Sequence, residues 1–225
     1  MNESTKAKRY WGELGKSVLV GKGIDIGCGA DPVLPGCRGF DAADGDANEI
    51  TRLVHEQFDY VYSSHCLEHM SDPRKTILDW WKLVKPGGYL FVVVPDEDLY
   101  EQGVFPSRFN NDHKATFTIA KAKSWSPNSI NVLELAQGLP GGEVVRVQLE
   151  DRGYDRRLMS FGKNEPTLYS RLLAKYYSVA RKFLGERSAN NLRRMLLTYY
   201  PVDQTSGSFD AQAQIQLIVK KVAAA

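Results

Sequence analysis

The chain has 225 residues, enough for one sizeable hydrophobic core, and its 43% hydrophobic and 25% charged content is that of a globular protein. It holds no run of eighteen apolar residues, which excludes a spanning helix, and Met1 to Arg9 lacks the apolar centre of a secretory signal. Cys28, Cys37 and Cys66 are odd in number, irregularly spaced and form no CxxC pair, which argues against a disulfide framework or zinc ribbon and for a reducing, cytoplasmic setting.

In chain order, Gly23 to Ile26 reads as a short buried strand that breaks into the turn Gly27-Cys28-Gly29. Arg38 to Asp41 is a candidate second strand and Phe58 to Ser63 another. Asp72-Pro73 supplies an N-cap and a proline at the first helical position; Ile77, Leu78, Trp80, Trp81 and Val84 give that helix its apolar face, and Lys85-Pro86-Gly87-Gly88 stops it. Tyr89 to Val94 is a continuous β-rich apolar run, as expected of a strand covered on both faces. Strand and helix alternate, so a parallel sheet with right-handed crossovers follows.

After Pro95 the rhythm changes. Residues 96–124 show little periodicity and read as a long functional loop or lid. A helix is expected over Asn128 to Gln137 and a strand over Gly142 to Leu149. Leu168, Leu172, Tyr176, Val179 or Ala180, and Phe183 keep three-to-four spacing, which predicts a helix from Pro166 to about Leu184; a shorter one is expected at Asn191 to Tyr200. Ala211 to Val222 alternates and reads as the final strand. The whole chain, 1–225, is thus one domain: a core of 16–150 and 203–222, with a helical cap at 164–200. Arg152 to Tyr200 carries eleven Lys or Arg against three acids, although the whole chain is only +2. That segment suits an anionic partner, a second subunit, anionic lipid headgroups or simply a solvated helix face. No nucleic-acid module is recognisable.

A glycine-rich turn after the first strand of such a sheet lets a ligand approach the backbone at the carboxyl edge. The spacing here is not that of a dinucleotide fingerprint, because Ala30-Asp31-Pro32 follows Gly29 without a third glycine, and no Gly-Lys-Ser/Thr makes it a P-loop. Asp25 stands inside the strand and the turn has no Lys or Arg. A pyrophosphate favours positive charge at such a turn; an ammonium and a sulfonium favour a nearby carboxylate.

These residues resemble the class I S-adenosylmethionine-dependent methyltransferases of small-molecule type. Asp25-Ile-Gly-Cys-Gly29 is similar to the family's first motif, Gly39-Phe-Asp41 to its second-strand acid, and Gly45-Asp46-Ala47 to the acid ending its third strand. Phe58 to His69 resembles the fourth strand and its turn, and Leu83 to Leu90 the turn into the fifth. The resemblance implies a Rossmann-like, doubly wound, mostly parallel seven-stranded sheet with an antiparallel last strand and a helical insertion near the C-terminus. It implies that Asp25, Gly27, Cys28 and Gly29 meet the cofactor, that Asp41 accepts the ribose hydroxyls, that Asp46 and Ala47 hold the adenine edge, and that Ser64 or His65 closes the methionine side. Between Gly29 and Asp41, and between Asp41 and Asp46, there is little room for full crossover helices.

His65-Cys-Leu-Glu68-His69 also spells the inverted zinc-protease signature. That reading needs one helix carrying all three residues, whereas the segment follows a strand directly and a new helix starts at Asp72; no metal is expected. Methyl transfer is an in-line displacement, so the protein mainly aligns the acceptor, and a hydroxyl acceptor benefits from a base. His113 is the candidate base, with Asp112 orienting it. Tyr100, Phe105, Arg108 and Phe109 are candidate walls for the acceptor. The segment 96–114, Asp203-Gln204-Thr205 and the closing Ala211-Gln-Ala-Gln-Ile-Gln216 are similar to methyltransferases of bacterial cell-surface carbohydrate pathways, and the resemblance implies a glycan, sugar nucleotide or other polar small-molecule acceptor, with the basic segment suiting an anionic one. The contrasting expectation is a methyltransferase-fold partner or regulator without catalysis.

Overall fold

A computed structural model of the chain describes residues 11–162, 201–206 and 211–222, together with Lys8 and scattered helical positions between 168 and 185. Its first elements are α1 (Gly12–Val18), β1 (Gly23–Ile26), β2 (Arg38–Phe40) and β3 (Phe58–Ser64). Then come α2 (Pro73–Lys82), β4 (Val84–Pro95), β5 (Thr116–Thr118), β6 (Ser129–Asn131), α3 (Val132–Gln137), β7 (Gly142–Glu150) and β8 (Gln214–Lys221). The main sheet runs β2-β1-β3-β4-β8-β7; β2, β1, β3 and β4 are mutually parallel and β8 is antiparallel to both neighbours. β2 and β3 flank β1 on opposite sides, so the carboxyl edge of β1 is the switch point at which such sheets open a crevice.

Side-chain alternation along β4 divides the core. Leu90, Val92 and Val94 face a cluster with Ile24, Ile26, Val61, Leu217 and Trp80. Phe91 and Val93 face the opposite layer, where Trp11, Tyr62 and Phe91 meet with ring centroids 5.2–5.9 Å apart. α2 forms as its sequence dictates: the Asp72 carboxylate accepts from the N–H groups of Arg74 and Lys75, and Pro73 follows it.

Several expectations change. The helix expected over Asn128 to Gln137 is β6 followed by α3, because the Asn131 side chain caps a helix that starts only at Val132. The sheet has six strands among the described residues, because the segment after Asp41 makes no third parallel strand. Gly45 has φ +142°, and Asp46 instead caps the 3-10 turn Ala47–Arg52, accepting from the Asn48 N–H at 2.9 Å. Lys85 to Gly88 lies within β4, opposite a register shift between Phe58 and Tyr60, so α2 ends at Lys82. Residues 96–124, expected as a functional loop or lid, hold short regular elements. A π-type turn, Glu97–Glu101, follows β4 directly, and β5 pairs with β6 in a second, two-stranded sheet. Glu97 is fully buried and binds Thr116, Lys121, Ser124 and Ser129, which fastens the segment down. The expected helix at 166–184 is helical at its described positions, where Leu168, Leu172, Tyr176, Val179 and Phe183 are exposed. The expected helix at 191–200 lies outside the described residues.

Candidate active site

Two cavities open at the carboxyl edge, one on each side of the turn 65–70. The first, about 450 Å³, is lined by Gly27, Phe40, Asp41, Ala42, Gly45, Asp46, Ala47, Cys66 and Met70. Gly27 has φ +79°, and a Cβ on it would stand 2.6 Å from Cys66 Sγ, so only glycine fits the turn. Asp41 stands just beyond β2; its carboxylate accepts from the Gly29 N–H and, at 2.6 Å, from the Ala42 N–H. Asp46 lies on the rim, its carboxyl held below the usual range by the Asn48 side chain and N–H. Phe40, Ala47 and Met70 give the cavity an apolar lining beside Asp41 and Asp46, and among the described residues no Lys or Arg lines it.

Other residues expected here are placed differently. Asp25 is fully buried and accepts from the Val33 N–H at 2.7 Å, so it anchors the loop after the glycine turn and lines neither cavity. Cys28 packs toward Gly39, and Ser64 is buried; neither is a wall. Burial pushes the Cys66 thiol up to about 12, which leaves it an inert packing group. His65 belongs to the other cavity. It adopts φ +53° and its Nε2 lies 3.0 Å from Gln214 Oε1.

That second cavity, about 280 Å³, is lined by His65, Glu68, His69, Tyr100, Asn110, His113, Thr205, Ala211, Gln212, Ala213 and Gln214. His113 is buried, but its partner is not Asp112. Its Nδ1 lies 2.6 Å from Glu101 Oε1, whereas the Asp112 carboxylate lies 3.0 Å from His69 Nδ1. The reason is the turn Glu97–Glu101, which swings Glu101 inward, while the backbone N–H groups of Lys114 and Ala115 bond the Glu68 carbonyl and seat His113 against His69. The His113 ring stacks on Tyr100 (centroids 5.2 Å apart) and meets His69 edge-on at 5.0 Å. Glu68 is fully buried. Burial penalises its charge, but His65 at 3.4 Å, with His113 and His69, outweighs that and holds its carboxyl below the usual range.

Of the four expected acceptor residues, only Tyr100 lines this cavity. Phe109 packs edge-on to Tyr100, Arg108 lies against Phe109 with burial lowering its basicity, and Phe105 is half-buried away from the wall. The sequence reading did not single out Glu101, and it named Glu68, Gln212 and Gln214 only as parts of the His65–His69 signature and the closing Ala211–Gln216 run, without a place in the site. The two glutamines carried a signal, since glutamines alternate with alanines just before and into β8 and so share one face.

Among the described residues no helix is long and apolar enough to cross a membrane. No curated protein matches the chain. Solved structures similar to it include a SAM-dependent methyltransferase from Archaeoglobus fulgidus, 16% identical over 97% of this chain and 92% of that one (TM-score 0.47). Another is phosphoethanolamine N-methyltransferase 2 from Haemonchus contortus in complex with S-adenosyl-L-methionine, 15% identical over 99% of this chain and 53% of that one (TM-score 0.48). Residues 6–127, more than half the chain, match the methyltransferase domain family. The chain therefore belongs to that family, as a class I S-adenosylmethionine-dependent methyltransferase.

Proposed function

We propose that the protein methylates an oxygen atom of a polar small molecule, glycan or sugar nucleotide held in the histidine-lined cavity. The observation that carries this reading is the His113–Glu101 pair: a buried imidazole with one nitrogen held by a carboxylate at 2.6 Å and its ring in the cavity wall. That arrangement fixes the tautomer and stabilises the imidazolium that forms when the ring takes a proton. The rest of the wall supports an oxygen-rich acceptor. The Nε2 groups of Gln212 and Gln214 are buried donors without a partner among the described residues, and Asn110 and Thr205 add further polar groups. An acceptor bearing several hydroxyl or carbonyl oxygens satisfies them; an apolar one leaves them unpaired.

Asp41, at the rim of the other cavity, would hold the ribose hydroxyls, Asp46 and Ala47 the adenine edge, and the Gly27–Gly29 turn would leave room for the amino-acid portion. Bound there, S-adenosylmethionine supplies an electrophilic methyl on a sulfonium. The turn 65–70 separates the two cavities and aligns donor with acceptor at its edge, and His113 Nε2 receives the hydroxyl proton. The three cysteines form no disulfide, which supports a cytoplasmic setting.

The test is a screen of hydroxylated and amine acceptors that monitors S-adenosylhomocysteine release. With the active acceptor, His113→Ala is expected to lower kcat by about 10²–10⁴-fold and to leave S-adenosylhomocysteine affinity nearly unchanged. Unchanged turnover would remove His113 as the base, and release only with amines would overturn transfer to oxygen.

A further inference from the structure

The chain has four histidines, and three of them, His65, His69 and His113, line one cavity together with Glu68. Glu68, His69 and His113 each present one ligand atom, and these three atoms lie within 4.8 Å of one another. Ligands around one ion sit roughly 3–4 Å apart, so small side-chain rotations close the set. The distal nitrogen of each ring is already engaged: His113 Nδ1 by Glu101 at 2.6 Å and His69 Nδ1 by Asp112 at 3.0 Å. Nε2 of each ring is left for another partner, and a carboxylate on the far nitrogen is the usual support of a metal-bound imidazole. Glu68 supplies an independent observation. It is fully buried, and among the described residues its carboxylate has a long contact of 3.4 Å from His65 Nδ1 to Oε1 and no well-formed hydrogen bond. A buried carboxylate without a well-formed hydrogen bond keeps lone pairs for a cation placed beside His69 and His113.

We propose that Glu68, His69 and His113 bind one divalent transition-metal ion, with coordination positions open to the cavity for an acceptor oxygen. Two imidazoles and one carboxylate suit zinc, manganese, iron or cobalt rather than magnesium or calcium, which prefer all-oxygen sets. The site differs from a helical zinc-protease motif. Leu67–His69 form a single 3-10 turn, and the third ligand arrives from the segment that the Glu68 carbonyl anchors through Lys114 and Ala115. The ion's role in the reaction rests on the oxygen-transfer reading above; its binding does not. Coordination acidifies the acceptor hydroxyl, its proton leaves to solvent, and the oxygen lone pair forms the O–C bond as the S–C bond of the sulfonium breaks. His113 is then a ligand, and its role as base belongs to the ion-free protein.

Calorimetry on the full chain, stripped with a chelator and titrated separately with Zn²⁺, Mn²⁺, Co²⁺ and Mg²⁺, is expected to show one equivalent of a transition ion bound and Mg²⁺ bound far more weakly. Glu68→Gln and His69→Gln should each weaken binding by at least about tenfold. His55→Gln, at the exposed histidine outside the cavity, should not. S-adenosylhomocysteine binding reports whether each variant is folded. Long-range ¹H–¹⁵N spectra of the histidine-labelled wild type need no variant: Zn²⁺ should move the Nε2 resonances of His69 and His113 and leave His55 in place. Binding that survives both substitutions, or resonance changes confined to His55, would overturn the site. Turnover on hydroxyl acceptors without ion binding sinks the site alone; ion binding with turnover only on amines sinks the oxygen-transfer reading and leaves the site standing.

Discussion

Glu101 acts on the acceptor only through His113, so it is a positioning residue and its effect must show in kcat rather than in cofactor affinity. Its Oε1 is 2.6 Å from His113 Nδ1, and both side chains are almost fully buried. Glu101→Gln keeps a polar group there but removes the charge that stabilises a positive imidazole or strengthens it as a ligand. We expect kcat to fall on the order of 10–100-fold, with S-adenosylhomocysteine affinity unchanged; a parallel loss of both would mark a purely structural role. Gly27 is the converse case. A methyl group there meets Cys66 at 2.6 Å in a backbone conformation that side chains disfavour, a strain on the order of 1–3 kcal/mol. Gly27→Ala is therefore expected to weaken S-adenosylhomocysteine by at least about tenfold in calorimetry, and unchanged affinity would show that the turn does not touch the cofactor.

Among elements, those with a strong local pattern were legible and those held by distant partners were not. β1, β3, β4, β8 and α2 follow from apolar runs and from the Asp72-Pro73 cap, which act within a few residues. The stretch after Asp41 resembles a strand end through its acids, while the turn chemistry of Gly45 and Asp46 makes it a capped 3-10 turn. The segment 96–124 reads as loop because its order comes from Glu97 reaching residues 19 to 32 positions away, which no periodicity reveals. His113 and Asp41 could be found as chemical types; Glu101 could not, since only the turn geometry brings it to His113. Asp96 caps that turn, accepting from the N–H groups of Asp98 and Leu99, and burial raises its pKa from 3.8 to about 6. The folded state therefore holds a proton that the unfolded chain releases near 3.8. Stability should fall as pH rises from about 4 to about 6 and stay at that lower level above it. Asp96→Asn retains an acceptor without the charge. Urea denaturation should find it more stable than wild type by on the order of 2–3 kcal/mol near neutral pH, and little different near pH 4. Equal effects at both pH values would show that the burial cost is relieved another way.

At the scale of the whole molecule, the main consequence is that two cavities share one wall. Cys66 and Met70 face the first, and His65, Glu68 and His69 the second. The wall itself is pinned from the sheet, through the His65 N–H to the Val93 carbonyl at 2.9 Å. A ligand filling the first cavity binds the folded state alone, so it must stabilise the entire domain by mass action. At a hundredfold excess over Kd this amounts to about 2.7 kcal/mol, or about 5–10 °C in Tm for a chain of this length. Separate sites make the variants separable. Asp41→Ala should abolish most of the S-adenosylhomocysteine shift, because the carboxylate at the cavity rim is lost, while His113→Ala should keep it. A shift that disappears in both would mean that the two cavities act as one, and that the turn 65–70 conducts rather than divides. A shift that survives Asp41→Ala intact would place the cofactor elsewhere on the carboxyl edge.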